Sequence, residues 1–329
     1  MKKIIIIKIL LVLLFHVSLA KENNSFSFNI GEKKLFGYTT YHIDFLTLSD
    51  IDNSIKKIES ELEFPLDVYM SGIKLEWNRK TIKKVPYFFS LDIWKNTTNP
   101  KVFMKDSDWK GDIYEKDRIK FSYTESNAKL NASILNIKGG MVFSTKSEFT
   151  LETIAGYKYQ NFSYKIFGIK GWYINDNKEK IFYDGYWDTN VLNYEIFYYI
   201  PYLGFNIYND KSLPLFINAE IAFSPFTSIV DHDDHILRNK IAEGETYGTT
   251  VLSELNLVKK ITIPIIKKNL FAKIGFEFIQ IYTTGKQSQI WYGDDPAGPE
   301  NETGLKVEGI NDKIISQLKS ILFLIELKF

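Results

Sequence analysis

The chain has 329 residues, no cysteine, and 41 basic against 40 acidic residues, a formal charge of +1. Zero cysteines exclude a disulfide scaffold and thiolate-ligated metals or clusters. Balanced charge argues against nucleic acid as a partner, because nucleic-acid binders carry a basic excess.

Residues 1–20 read as a secretory signal. Lys2 and Lys3 precede an apolar run from Ile4 to Phe15, broken only by Lys8, and Ser18-Leu19-Ala20 is a small-x-small cleavage site. The run is too short to span a bilayer as a helix. Cleavage after Ala20 removes three lysines, so the formal charge of +1 becomes −2 on residues 21–329. That remainder shows no internal repeat or linker and is read as one domain. It has no apolar run approaching the roughly 18 residues a transmembrane helix needs. An exported chain of this kind is periplasmic, secreted, or an outer-membrane barrel.

Period-two alternation, the signature of strands, recurs from end to end. Ile73, Leu75 and Trp77 alternate with Lys74, Glu76 and Asn78. Ile119, Phe121 and Tyr123 do so with Lys120, Ser122 and Thr124. Leu192, Tyr194, Ile196 and Tyr198 share a face opposite Asn193 and Glu195, and Ile217, Ala219, Ile221 and Phe223 stand opposite Asn218 and Glu220. A soluble sandwich also alternates. Aromatic residues make up 16% of this chain, and their place on the apolar faces fits the girdles of a membrane barrel. The final segment, Phe323 to Phe329, alternates and ends in phenylalanine, which resembles the terminal signal of outer-membrane barrels.

Ten strand-like segments result, at 32–46, 60–78, 85–95, 118–137, 148–167, 190–205, 215–228, 247–259, 270–282 and 313–329. Short connections alternate with long ones. An even count with both termini in the periplasm places every long connection outside. The expectation is an all-β, ten-stranded antiparallel transmembrane β-barrel with long extracellular loops. Glu76, Glu195, Glu220 and Glu277 are expected to fill its lumen, which disfavours a porin.

The chemistry-bearing residues gather in two places. Asp231-His232-Asp233-Asp234-His235 holds two of the three histidines beyond residue 20 and follows the seventh segment. If the strand continues, Asp231, Asp233 and His235 line one side, where a carboxylate beside an imidazole orients a general base. Met104-Lys105-Asp106-Ser107-Asp108-Trp109 lies in the connection after the third segment. Its two aspartates, two residues apart, raise each other's proton affinity. Strand parity puts both clusters at one end of the barrel, where they could hold a water between them. Spacing alone leaves open a solvated acidic loop or a calcium site. Zinc finds too few histidines. No serine elbow, phosphate loop or dinucleotide fingerprint is present, and His42 stands alone.

With these residues in view, the chain resembles the omptin family of outer-membrane proteases. The likeness runs through Met104–Trp109, Tyr123–Ser126, Ala155–Tyr164, Ile200–Gly204, Asp231–His235 and Tyr247–Thr250. It implies peptide hydrolysis by activated water at the extracellular rim, without metal or covalent intermediate. His235 would be the base and Asp233 its partner, Asp106 and Asp108 the opposing catalytic pair, and Ser126 an auxiliary. Cleavage between basic residues is implied, with Asp231 among the acids that bind the substrate's cation. The family's second specificity acid, a glutamate, has no clear equivalent, and Asp44 is a candidate. The resemblance also implies a lipopolysaccharide requirement, yet Asn161 stands where the family has an arginine. A monomer in the outer membrane, acting on basic peptides or proteins, is the resulting expectation. The rival is a non-enzymatic adhesin or binding barrel.

Overall fold

A strand with one apolar face and unpaired edges is stable only when both are covered. Here closure does it. The structure is a computed structural model and describes residues 24–48, 54–79, 85–112, 118–146, 148–175, 177–209, 215–261, 269–296 and 301–329. The signal-like residues 1–20 lie outside them. The strands are β1 (Asn24–Leu48), β2 (Ile55–Pro65), β3 (Val68–Arg79), β4 (Tyr87–Asn96), β5 (Met104–Asp112), β6 (Ile119–Lys146), β7 (Phe149–Ile174), β8 (Lys180–Asn209), β9 (Leu215–His235), β10 (Lys240–Ile261), β11 (Asn269–Trp291) and β12 (Lys306–Lys328). All pairings are antiparallel, and β12 returns to β1 to close the ring. Phe329 and Phe26 exchange backbone hydrogen bonds at the seam.

The ring has ten staves although it has twelve strands. β1 pairs with β3 over Asn24–Leu35 and with β2 over Tyr38–Leu48, so β2 and β3 are two halves of one stave. β4 and β5 likewise share β6. The break in the first stave falls at Leu66-Asp67, where the Leu66 N–H donates to Gly37 O at 3.2 Å. Gly37 has φ +127°, a conformation that side chains disfavour. Strands also run further than the alternation suggested. The 96–117 connection contains β5, and most of 168–189 is a β7–β8 extension.

Polarity inverts with height. Toward the end that holds the chain's C-terminus, β8 turns Leu203, Phe205 and Ile207 outward, and Ile221, Phe223, Leu255, Ile274, Phe276, Phe323 and Ile325 continue this exposed apolar belt. The lumen behind it holds ion pairs: Lys33–Glu277 at 3.4 Å, Lys273–Glu254 at 3.2 Å, Lys138–Glu220 and Lys158–Glu277. Toward the other end the same strand parity puts Tyr194, Ile196 and Tyr198 inside, fully buried. Phe64 stacks on Tyr194 with centroids 4.1 Å apart, and Tyr198 shares hydrogen bonds of 2.8 Å with Thr39 and Ser316. The apolar face of Leu192–Tyr198 is therefore core rather than lipid-facing. Glu195, expected in the lumen, is outside and accepts a hydrogen bond from Asn161 at 3.1 Å.

The cavity among the lower lumen's charged side chains measures about 20 Å³, room for a water or two. Planar-bilayer recordings of the refolded protein are expected to show no stable open channel. Reproducible conductance steps would mean that these ion pairs do not plug the lumen.

Candidate active site

The site stands above the aromatic layer, on strand extensions beyond the apolar belt. β9 brings in the first cluster through a change of phase. Ile217, Ala219, Ile221 and Phe223 point out and Ser224 points in; Thr227, three residues on, also points in. Pro225 and Phe226 are the reason: between Ser224 and Thr227 they oppose a single residue of β10, a bulge that carries Phe226 out into solvent. Proline suits the position because it has no N–H to give to the ladder. Beyond the bulge Asp231, Asp233 and His235 face the interior, while His232 and Asp234 face out. His232 approaches Glu243 at 3.6 Å, and Asp234 accepts from the Tyr292 hydroxyl at 3.2 Å.

Asp233 is completely buried, and its Oδ2 lies 2.9 Å from His235 Nε2. His235 is the last residue of β9. A 3-10 turn at Ile236–Arg238 follows, and Asn239, left-handed at φ 50°, reverses the chain into β10. The turn is braced by the 291–296 segment. Arg238 Nε donates to Asp295 Oδ2 at 2.6 Å, and Asn239 Nδ2 donates to the Asp294 carbonyl at 2.8 Å. The Gly293–Pro296 stretch thus holds the turn behind His235.

The second cluster is on β5. Asp106 pairs across the sheet with Leu62 and Thr124, and Asp108 with Ser60 and Ser122. Asp106 is half-buried as a residue, but its Oδ1 is cut off from solvent without a partner. Burial, then the charges of Asp108 and Asp233, push its carboxyl well above the usual range. Burial also raises Asp108, against hydrogen bonds from the Ser60 and Ser122 hydroxyls and the charges of Arg238 and His235. Burial and the two aspartates push the nearby Tyr183 phenol up to about 12. Lys240 is pushed down to about 8, first by burial and then by Arg238. Both clusters therefore belong to one electrostatic unit.

Four of the six residues singled out from sequence converge here, Asp106, Asp108, Asp233 and His235, and Asp231 lies one inward step below the dyad. Ser126 is buried one inward step below Asp106, opposite Met104, and Ser122 rather than Ser126 supports Asp108. Asp44 is not in the site. It sits on the outer wall, 3.1 Å from Lys57 and bonded by Asn311 at 3.2 Å. His42 is likewise outside, 3.7 Å from Glu61. The sequence reading missed Arg238, Lys240, Ser60 and Ser122. The alternation of Ile58, Ser60 and Leu62 was the available signal for Ser60. Among the described residues no three acidic or imidazole groups converge to hold a metal ion.

A closed antiparallel barrel with an exposed apolar belt and a charged lumen is an outer-membrane protein. The profile of the Omptin family matches residues 52–278, well over half of the chain, and the chain belongs to that family of outer-membrane proteases. The outer membrane protease OmpT from Escherichia coli shares the fold, at TM-score 0.67 and 12% identity, over 94% of this chain and 99% of that one. The outer membrane protein OprG from Pseudomonas aeruginosa aligns at TM-score 0.31 and 9% identity over 94% and 98%. No curated protein matches the sequence.

Because a one-residue slip turns every following side chain to the other face, the bulge sets the site's phase. Inserting one serine after Ser228 is expected to lower peptide cleavage at least about 100-fold, the scale of a misplaced reacting group. Deleting Phe226 should instead make the ladders regular on both sides and leave Asp231, Asp233 and His235 inside. Kinetics on both variants, with circular dichroism to verify the barrel, would expose the error if the insertion were tolerated.

Proposed function

We propose that this protein hydrolyses peptide bonds next to basic residues, at the extracellular mouth of the barrel, by an imidazole-activated water. The observation that carries the reading is the 2.9 Å Asp233–His235 contact, facing a second pair of acids with raised proton affinity. Asp233 holds Nε2, leaving Nδ1 as the nitrogen that accepts a proton from water. The Asp106–Asp108 pair retains a proton where free carboxyls have lost theirs. One member then accepts from the water while the other donates to the scissile carbonyl oxygen as charge develops there. Arg238 and Lys240 add positive potential. The proton taken by His235 passes to the leaving amine. All these groups come from one barrel, so the monomer is the working unit.

The extracellular orientation is supported by the placement of the site at the end opposite the C-terminus. Exposed basic peptides and proteins, cationic defence peptides among them, are the substrate class. An outer-membrane lipid is a further proposed partner. At the wall position of the family's arginine, Asn161 donates to Glu195 and offers no charge to a lipid phosphate.

Asp233→Asn and His235→Ala are each expected to lower kcat/KM on a quenched Arg-Arg peptide by about 10²–10⁴-fold while the barrel still folds. The wild-type pH profile should be bell-shaped. Activity falls on the acid side as the imidazole takes up a proton, and on the alkaline side as the raised Asp106–Asp108 pair loses its last one. A flat profile into strong acid would rule out the imidazole base. Adding lipopolysaccharide should change kcat/KM by less than about tenfold, the worth of one charge-assisted hydrogen bond of about 1.5 kcal/mol. Strict dependence on it would contradict the reading of Asn161.

A further inference from the structure

The buried lysines of this barrel are matched by acids, with one exception. Lys33 and Lys158 meet Glu277, and Lys138 meets Glu220. Lys240 is comparably buried, at 6% exposure, yet among the described residues its ammonium makes no hydrogen bond and no ion pair. The neighbouring cation differs: Arg238 is half exposed and holds Asp295 at 2.6 Å. The Lys240 nitrogen has the ring of Trp291, whose centroid is 5.5 Å away. A ring face at that range attracts a cation, but it leaves the ammonium's N–H donors without an acceptor.

The ladder fixes where those donors stand. β9 ends at His235, the 3-10 turn reverses the chain, and Lys240 is the first residue of β10. Lys240 pairs directly with His235 on one side and with Trp291 of β11 on the other. Directly opposed residues share a face, with Cβ atoms about 5 Å apart. Asp233 and Ala242, the next opposed pair on that face, are both buried inside. Imidazole, ammonium and indole therefore form one inward row at the level of the dyad. The row also reaches the second cluster electrostatically, because the Lys240 charge lowers the proton affinity of Asp106 against the burial that raises it. Burial, then Arg238, pull Lys240 itself down to about 8, while Asp233, Asp295 and Asp106 support its charged form. The ammonium thus keeps its proton at neutral pH. A buried cation without a bonded partner is costly, and the group this row lacks is an oxygen acceptor.

We propose that Lys240 is a catalytic residue: its ammonium donates a hydrogen bond to the scissile carbonyl oxygen and stabilises the negative charge that forms there. The inference rests on the protease reading and deepens it. As the water oxygen bonds the carbonyl carbon, the C=O π pair moves onto oxygen and His235 Nδ1 takes the water's proton. Lys240 keeps its own proton throughout and acts as a second donor beside the Asp106–Asp108 acid. When C=O re-forms, the C–N bond breaks and the imidazolium proton leaves on the amine. A donor fixed before the reaction needs no reorganisation during it, and the buried stem against Trp291 supplies that rigidity.

Lys240→Met keeps the length of the stem and its packing on Trp291 but removes the charge and the donors. It is expected to lower kcat on the Arg-Arg peptide by about 10²–10³-fold. KM should stay within about threefold, because the interaction is made in the transition state. Lys240→Arg keeps charge and donors and should recover at least about tenfold of that loss. Lys240→Gln, neutral but still a donor, should recover less, and it repeats the reading if the methionine variant fails to fold. A phosphinic peptide, with an anionic tetrahedral centre in place of the scissile carbonyl, mimics the transition state. Its equilibrium binding should weaken about 100-fold in Lys240→Met. Binding of the Arg-Arg peptide to His235→Ala should not change when Lys240→Met is added. Full cleavage by Lys240→Met would overturn the assignment and leave the protease standing. So would a loss of kcat that Lys240→Arg does not restore and the phosphinic peptide does not register, the mark of a structural lysine. If the folded wild-type barrel cleaves no peptide, the protease reading falls and the assignment falls with it.

Discussion

A strand in a closed sheet has only two sides, and closure gives each a fixed destination. In this barrel an inward side chain has no escape to solvent except through the mouth, and an outward one meets lipid or water according to its height. The period of two therefore determines the whole molecule. It puts Leu203, Phe205 and Ile207 on the apolar belt and Tyr194, Ile196 and Tyr198 in a solid core, along one strand without a break in phase. Where phase must change, a bulge at Pro225-Phe226 takes up the odd residue. Without it the sequence would send His232 and Asp234 inward and leave Asp233 outside.

The interior is layered by charge. At the belt, lysines and glutamates neutralise each other in pairs, as buried charges require. Above them an aromatic layer, with Phe64 stacked on Tyr194, seals the lumen. At the mouth the acids are no longer matched. Asp231 and Asp312 are buried with both carboxylate oxygens unsatisfied, Asp233 has only its contact with His235, and Asp106 has one unsatisfied oxygen. Unsatisfied polar groups in an otherwise satisfied fold mark places where stability has been given up for function. The mouth gathers buried acids above the packed aromatic layer, and the proposed preference for cationic peptides rests on that grouping.

Much of this was legible in the sequence because the decisive signals are local. Period-two patterning gave the barrel, and Asp231, Asp233 and His235 share a face because they lie two residues apart. The misreadings have a common cause. An apolar face is lipid-facing at the belt but inward above it, which is why Glu195 lies outside rather than in the expected lumen position. Charged strands such as β5 looked like loops because their alternation is polar on both sides. Asp312 shares an apolar face with Ile310 and Ile314, an anomaly visible in the sequence, but the expected last segment begins at 313, seven residues inside β12. Its meeting with Asp231 depends on ring closure and on Gly244, which no local pattern reveals.

The central claim is that two clusters from different strands act on one water as a unit. A double-mutant cycle on kcat/KM with Asp108→Asn and His235→Ala tests it directly. Groups that act together give a double variant little worse than the poorer single one. That result is expected here. Losses that simply multiply would show that the two clusters work independently and would contradict the account.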